Sequence, residues 1–397
     1  MRLRSCTVLL TFVSVLPATA GLARHAAAVC TAADVAAQDA AHCPDNPGPC
    51  TIAKSFTIDG NCELDFGGRD VTLTGVLDAS SGTLTLKAGS VIVAASGRIV
   101  GSVYIFARRT VTNAGQIDGG EISIDAGGDI VSIDRGVFSA RGGHIGFRAD
   151  GTVNLGDTID VSGDANNPGG YVELSAGDQV IVHRMLAYSL VDGASAGSIE
   201  INAGTSVQIL GDVELQGAND ISSEYRFGGN GGRLSVYAAY GDLLVAADID
   251  ASGGRPVGEG GDIELAASGA VSVQNAKINV RTYGGPDSVG YVAMDAGLSL
   301  TVSGYIDASG GNIGGELDLQ AGGAMTLSGS INARARGVSG DLCEVEISMH
   351  PVKLPPLLSG KRAENRVVQE FRSLPILLLA AANGLVHLTD GGPDVRE

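Results

Sequence analysis

The chain has 397 residues and a formal net charge of −18, with hydrophobic residues at 44%, aromatic residues at 4% and no tryptophan. This composition excludes an intrinsically disordered chain. The acidity argues against nucleic acid, anionic lipid surfaces and polyanionic sugars as partners, because each carries charge of the same sign. Glycine supplies 59 residues, roughly twice its usual share of about 7%, without the every-third-residue spacing of collagen.

The N-terminus carries the three parts of a secretory signal peptide. Arg2 and Arg4 precede an apolar run over residues 8–16, and the string Ala-Thr-Ala at residues 18–20 is an A-x-A cleavage signal. The apolar run is too short to cross about 30 Å of hydrocarbon, which argues against a membrane anchor. We therefore predict a signal peptide over residues 1–20. The mature protein is expected to be secreted, extracellular or at the cell surface, with the periplasm as a further option.

Four cysteines lie in the next segment, residues 21–66, which we predict to be a cap on the domain that follows. In an exported chain they are expected to form two disulfides, because thiols oxidise outside the cytoplasm. Four cysteines allow three connectivities, and the spacing does not choose among them. A zinc site is not expected, because no C-x-x-C string occurs. The four are Cys30, Cys43, Cys50 and Cys62.

A repeated pattern covers residues 67–342. Each copy begins with glycine, continues with aliphatic residues that alternate with polar ones, and usually closes on alanine. Alternation of period two indicates strands with one buried face, and two shorter alternating runs follow each copy. The clear copies begin at Gly82, Gly101, Gly120, Gly143, Gly170, Gly197, Gly232, Gly261, Gly290 and Gly315, and Gly340 begins a degraded copy.

Three strands per repeat, separated by glycine corners, predict a three-sided coil. Stacked coils would hydrogen-bond each strand to its equivalents about 4.8 Å away and would bury the aliphatic side chains in continuous columns. A β-propeller is the rival fold, but its blades need about 40 residues and strong hairpin dipeptides are scarce here. The predicted fold class is all-β: a right-handed three-sided parallel β-helix, a solenoid of about 10–11 coils, with a disulfide-rich N-terminal cap.

This pattern resembles the parallel β-helix of filamentous-haemagglutinin-like and autotransporter-passenger proteins of bacteria. The resemblance covers roughly residues 67–342. It rests on the aliphatic alternation and on a recurring corner, Ile-Asp-Ala-Ser-Gly-Gly, at residues 249–254 and 306–311. It implies adhesive and structural roles at a surface or outside the cell.

Beyond residue 342 the glycine pattern ends. Prolines and basic residues appear, and residues 362–373 could form a short amphipathic helix. Two interpretations of residues 343–397 remain open. The segment is either an irregular tail that caps the last coil or the product of a frameshift, which would also explain the unpaired Cys343. An uninterrupted repeat in another frame of the gene would exclude the cap.

An acidic or amide side chain recurs at the corner after the third strand. Stacking would align these side chains in a ladder. Such a ladder could bind cations, supply paired carboxylates for glycoside hydrolysis, or cap the Ser-Gly-Gly turns as Asx turns. Recurrence in coil after coil favours the capping role, because a catalytic pair should be local. The positions are Asp78, Asp118, Asp160, Asp250, Asp307, Asn279 and Asn332.

The extra length of the middle coils falls mostly at one corner, just before the glycine pair of the next coil. Insertions at one corner of a solenoid project from one face. The longest one contains aromatic and cationic side chains that could bind a ligand. The insertions span residues 164–168, 218–230, 255–260 and 286–289, and the candidate binding residues are Asn166, Asn167, Tyr225, Arg226, Phe227 and Arg255.

The function we expect is that of an exported, non-enzymatic structural or adhesive protein. Its rod would present a binding surface to a polysaccharide or a surface protein, with no cofactor, metal or nucleic acid. The alternative is a polysaccharide-active lyase or hydrolase on a pectinase-like β-helix. Such an enzyme needs a local cluster of Asp, Lys or Arg, which the sequence does not assemble. A calcium-stabilised spacer is a third candidate.

Overall fold

Successive strands of the chain pair in parallel with strands one coil away. The strands form one parallel β-solenoid of about 11 turns, which confirms the predicted fold class. The computed structural model describes residues 27–44, 48–133, 135–220, 227–284, 290–310, 314–335, 344–349, 378–381 and 384–387.

Each turn contributes one strand to each of three faces. Face 1 carries the longer strand that opens each repeat, face 2 carries the short strand that follows, and face 3 carries the strand before the next repeat. Four long strands bend through a corner and serve two faces. Val76–Ala88 and Arg98–Ala107 run from face 3 to face 1, and Val153–Asp160 and Val180–Leu186 run from face 2 to face 3.

The remaining strands each belong to one face. Face 1 holds Asn61–Asp65, Glu121–Ala126, His144–Ala149, Tyr171–Ala176, Ser198–Ala203, Arg233–Ala238, Asp262–Ala267, Tyr291–Ala296, Glu316–Ala321 and Glu344–Met349. Face 2 holds Cys50–Ile52, Val71–Leu73, Val91–Val93, Val111–Asn113, Ile130–Ser132, Val207–Ile209, Leu243–Val245, Val271–Val273, Leu300–Val302 and Met325–Leu327. Face 3 holds Ala27–Val29, Phe56–Ile58, Gln116–Asp118, Val137–Ser139, Val213–Glu214, Ile249–Asp250, Lys277–Asn279, Tyr305–Asp307 and Ser330–Asn332.

The core consists of columns of aliphatic side chains that run the length of the described coils. Ile122 on face 1 lies in register with Val103 in one neighbouring coil and with Ile145 in the other. All three side chains are fully buried. Burying one Val, Leu or Ile contributes about 1.5–3 kcal/mol. The columns are continuous because the strand alternation keeps its phase from coil to coil, even where the corners differ in length.

The solenoid extends into the cysteine-rich segment. Ala27–Val29 pairs in parallel with Phe56–Ile58, and Cys50–Ile52 pairs with Val71–Leu73, so this segment forms the first turns of faces 3 and 2. The one helix in the described residues, Ala32–Gln38, packs against the first strands of faces 3 and 1. A helix at this position shields open strand edges from pairing with another chain.

The sequence of the helix explains where it begins. Thr31 is the N-cap residue, and its hydroxyl accepts a hydrogen bond from the backbone N–H of Asp34. The Asp34 carboxylate in turn accepts one from the backbone N–H of Thr31, which completes a capping box. Val35 and Ala36 on the inner side of the helix are buried.

Two disulfides link the four cysteines, Cys30 to Cys62 and Cys43 to Cys50. Replacing Cys30 and Cys62 together by serine is expected to cost more unfolding free energy than replacing Cys43 and Cys50. The first bridge closes 32 residues and the second only 7, so the first restricts the unfolded chain more, by about 1 kcal/mol. Urea unfolding of the two double variants measures the difference. Equal losses, or a greater loss for the shorter loop, would contradict it.

At the other end the parallel sheet continues to Glu344–Met349, which pairs with Glu316–Ala321. Leu378–Ala381 and Gly384–His387 form a separate antiparallel pair. The predicted signal peptide, the predicted helix at residues 362–373 and most of the segment 343–397 lie outside the described residues. In the part of the chain that is described, no helix is long and apolar enough to cross a membrane.

Candidate functional site

The longest connections lie at one corner, between a face 3 strand and the next face 1 strand. Three of the four predicted insertions contribute described residues to this corner, and the fourth, residues 286–289, lies outside the described residues. A further long connection, residues 187–197, lies at the same corner. It is not among the predicted insertions, because Tyr188, Leu190 and Val191 give it a strand-like pattern. The connections span residues 161–170, 187–197, 215–232, 251–261, 280–290 and 308–315, and their described residues are called the corner ridge below.

Backbone hydrogen bonds join each connection of the corner ridge to the next one. In each bond an N–H of one connection donates to a carbonyl oxygen of the connection one coil later. The ridge is therefore a continuation of the face 3 ladder and holds a fixed shape. The bonds are Gly163 to Tyr188 (2.7 Å), Ser189 to Gln216 (3.1 Å), Gly217 to Ser252 (3.0 Å), Gly253 to Arg281 (3.0 Å) and Thr282 to Ser309 (3.1 Å).

Side chains reinforce the ladder between two of these connections. The amide of Asn230 donates to a carboxylate oxygen of Glu259 at 2.9 Å and accepts from the backbone N–H of Glu259 at 3.2 Å. The side-chain oxygen of Asn219 accepts the backbone N–H of Arg255 at 2.7 Å. These bonds fix the backbone from which the Arg255 side chain projects.

Asn166 and Asn167, two of the predicted binding residues, are hydrogen-bonded within their own loop. A carboxylate oxygen of Asp164 accepts the backbone N–H groups of Asn166 and Asn167 at 2.8 and 3.0 Å, and also the side-chain amide of Asn167 at 3.1 Å. These donors, led by the backbone of Asn166, lower the pKa of Asp164. Asn166 and Asn167 are exposed, so they can take part in binding only from a loop that is already shaped by Asp164.

The aromatic candidate of the longest insertion is accessible. The Phe227 side chain is 61% exposed, and its backbone N–H donates to a carboxylate oxygen of the buried Asp220 at 3.1 Å. The backbone N–H of Asp220 donates in turn to the carbonyl oxygen of Arg255 at 2.8 Å. Phe227 is thereby tied to the connection that carries Arg255. Tyr225 and Arg226 lie outside the described residues.

Arg255, the remaining candidate, belongs to a cluster that also contains Tyr283 and Arg281. The guanidinium carbons of Arg255 and Arg281 lie 4.7 and 4.6 Å from the centroid of the Tyr283 ring. Both distances are within the range of cation–π attraction. The backbone N–H of Tyr283 donates to the carbonyl oxygen of Gly258 at 3.0 Å. Tyr283 and Arg281 are not among the predicted site residues. The available signal is that residues 280–283 read Val-Arg-Thr-Tyr where the preceding coil has Ala-Ser-Gly-Gly at residues 251–254.

The glycine after Tyr283 is required by the backbone. Gly284 has a φ of +149°, and a Cβ there would lie 3.2 Å from the carbonyl oxygen of Pro256. Any other residue would be strained at this φ and would press on the neighbouring connection. The close approach of the two connections is what brings the Tyr283 ring beside Arg255.

The recurring acidic positions act as turn caps, as predicted. A side-chain oxygen of the aspartate accepts the backbone N–H two residues later, which defines an Asx turn. At Asp118 the carboxylate instead pairs with Arg98 at 2.8 Å. In the described residues, no group of three His, Cys, Asp or Glu side chains could hold a metal ion. The Asx bonds are those of Asp78 (3.0 Å), Asp160 (2.9 Å), Asp250 (3.0 Å) and Asp307 (3.1 Å).

Amide side chains alternate with carboxylates in the last coils of this ladder. The amide of Asn279 donates to Asp250 at 2.9 Å, and the amide of Asn332 donates to Asp307 at 3.1 Å. The alternation separates like charges that would otherwise stack at the coil spacing of about 4.8 Å.

No family model, curated protein or solved structure matches the chain. The assignment of function therefore depends on the solenoid and on the corner ridge.

Proposed function

We propose that the protein is exported and non-enzymatic, and that its corner ridge binds a polysaccharide outside the cell. The observation that carries this proposal is the unbroken ladder of backbone hydrogen bonds through the connections from Gly163 to Ser309. A ligand that meets a preformed surface loses little free energy in ordering it.

Export is supported by the two disulfides. Cys30–Cys62 and Cys43–Cys50 are typical of proteins that fold in an oxidising compartment, since thiols in the cytoplasm stay reduced. The predicted signal peptide over residues 1–20 also indicates export.

A non-enzymatic role is supported by the use of the recurring carboxylates. Asp160, Asp250 and Asp307 each hold the turn that follows them. Carboxylates that serve the same structural purpose in several coils offer no local acid–base pair of the kind that glycoside hydrolysis requires. The following experiment distinguishes our proposal from two alternatives. In one the partner is a surface protein, and in the other the protein catalyses a reaction on a polysaccharide.

Phe227→Ala is expected to weaken glycan binding about tenfold, the loss that truncation of an exposed aromatic contact residue can cause. The measurement is a glycan array with the full chain, followed by titration of the ligands that bind, with depolymerisation of uronate polymers monitored in parallel. Tyr240→Ala is the matched control, because the Tyr240 side chain is 87% exposed and lies at a different corner.

Each result has a definite meaning. Loss of binding in Phe227→Ala with unchanged binding in Tyr240→Ala supports the ridge. Binding that depends on Tyr240 and not on Phe227 would place the site elsewhere. Failure to bind any glycan would overturn the polysaccharide, and depolymerisation of a substrate would overturn the non-enzymatic role.

A further inference from the structure

We propose that Arg255, Arg281 and Tyr283 form a subsite for the single carboxylate of a uronic acid unit in an otherwise neutral saccharide. The proposal rests on the proposed function, because it names the chemistry that one part of the corner ridge would recognise.

The cluster concentrates positive charge in an acidic protein. Two guanidinium groups lie over the same phenol ring, at 4.7 and 4.6 Å from its centroid, whereas the chain as a whole has a net charge of −18. The ring attracts both cations through its π electrons and so fixes both guanidinium groups against Tyr283. Two cations fixed by one ring make a local positive charge, which favours an anionic ligand at this point of the ridge.

Among the described residues, these two cations have no carboxylate as an ion-pair partner. Other arginines of the solenoid pair with carboxylates, as Arg184 does with Glu214 at 2.6 Å and Arg233 does with Glu264 at 2.9 Å. Among the residues that the structure describes, no carboxylate lies within 4.0 Å of the guanidinium groups of Arg255 and Arg281.

Arg281 also carries an unsatisfied hydrogen-bond donor. The Nε atom of Arg281 is buried and has no hydrogen-bond partner among the residues that the structure describes. A buried N–H group without an acceptor is unfavourable, and the Arg281 side chain would remove that penalty by turning its Nε toward an oxygen atom of a ligand. A guanidinium group presents two parallel N–H donors to a carboxylate, so Arg281 suits a carboxylate better than it suits a hydroxyl group.

The negative charge of the rod restricts the kind of saccharide that can bind. A polyanion would extend along a rod of the same charge and would be repelled. A single carboxylate at the cluster avoids that repulsion, and the neutral remainder of the saccharide can lie against the rest of the ridge. Phe227, linked to Arg255 through Asp220, offers an exposed apolar surface for the C–H groups of a sugar ring.

The test is calorimetric titration of the full chain with three probes. They are the methyl glycoside of glucuronic acid, methyl glucoside as its neutral match, and polygalacturonate. The glucuronide is expected to bind at least about tenfold more tightly than the glucoside, as one charge-assisted hydrogen-bond pair allows. Per carboxylate, polygalacturonate is expected to bind more weakly than the glucuronide.

Variants locate the effect. Arg255→Gln and Arg281→Gln are each expected to weaken glucuronide binding about tenfold or more and to leave glucoside binding unchanged. Tyr283→Phe is expected to retain affinity, since phenylalanine keeps the ring that holds the cations, whereas Tyr283→Ala is expected to lose it. Arg148→Gln is the charge-matched control, because Arg148 is an exposed arginine on face 1, away from the ridge.

The outcomes separate the two proposals. An equal loss in Arg148→Gln would show that net charge, rather than the cluster, attracts the carboxylate, and would overturn the subsite. Equal affinity for glucuronide and glucoside would also overturn it. If glycan binding nevertheless depends on Phe227, the binding function of the ridge stands without the subsite. If no glycan binds, the binding function itself fails. Urea unfolding of each variant confirms that the fold is retained.

Discussion

Gly197→Ala is expected to destabilise the protein by about 3 kcal/mol or more, the upper range for overpacking in a close-packed interior. A Cβ at Gly197 would lie 1.8 Å from the carbonyl oxygen of Gly170 in the preceding coil and 2.8 Å from its carbonyl carbon. Both atoms are backbone, so no flexible side chain can move aside. The coils would have to separate at this corner, and the ladders of faces 1 and 3 would be strained with it.

Gly120→Ala is the matched control, because Gly120 opens its coil as Gly197 does. A Cβ there would meet only the hydroxyl oxygen of Ser102, at 4.0 Å. We expect no loss and a gain of up to about 1 kcal/mol, since alanine restricts the unfolded chain. Urea unfolding followed by circular dichroism measures both variants. Equal effects of the two substitutions would show that the glycines are not required by close approach of the coils.

The strands of the solenoid could be predicted from the sequence because burial alternates with the strand period. Ile263, Leu265 and Ala267 stand at alternate positions of the copy that begins at Gly261, and all three are at most 5% exposed. This alternation is local in the sequence, so the strands can be predicted without knowing which coils are neighbours. The same holds for most of the glycines that open the coils, since they let the previous coil approach closely; Gly120 is an exception.

The disulfide pairing could not be predicted, because it depends on the path of the first turn. The Cα atoms of Cys30 and Cys62 lie 4.8 Å apart although 32 residues separate them. Nothing in the spacing of the four cysteines shows that the chain returns to the same corner after one full turn. Helix Ala32–Gln38, which lies between them, also has no counterpart in the repeat.

The cluster at the corner ridge could be predicted only in part. Arg255 stood out because it is a cation in an insertion, but its partner Tyr283 belongs to the next coil. The two meet because Asp250 pairs with Asn279, and the same offset places residue 255 beside Gly284. Since the corners differ in length from coil to coil, such a contact follows from the register of the sheet and cannot be obtained from one coil alone.

Asn279→Asp is expected to cost about 3 kcal/mol or more at neutral pH, the scale for a buried polar contact replaced by an unpaired charge. Asn279 is 7% exposed, lies in register between Asp250 and Asp307, and donates to Asp250 at 2.9 Å. The variant removes that donor and stacks three carboxylates in successive coils. Like charges and burial favour the protonated form, so the pKa of the new carboxyl group should be higher in the folded chain than its unfolded value of about 3.9.

The sign of the pH dependence follows from this difference. Below the unfolded pKa both states of the variant hold the proton, and the protonated carboxyl can donate to Asp250 in place of the amide, so the loss relative to wild type should be small. As pH rises, the unfolded chain ionises first, and the loss grows until the folded pKa is passed. Asn154→Asp is the control, because Asn154 lies on face 2 between Val131 and Ile181 and meets no carboxylate in either adjacent strand. Urea unfolding of both variants across acidic to neutral pH measures the effect. A pH-independent loss, or an equal loss in Asn154→Asp, would show that charge separation is not the reason why an amide occupies this position of the ladder.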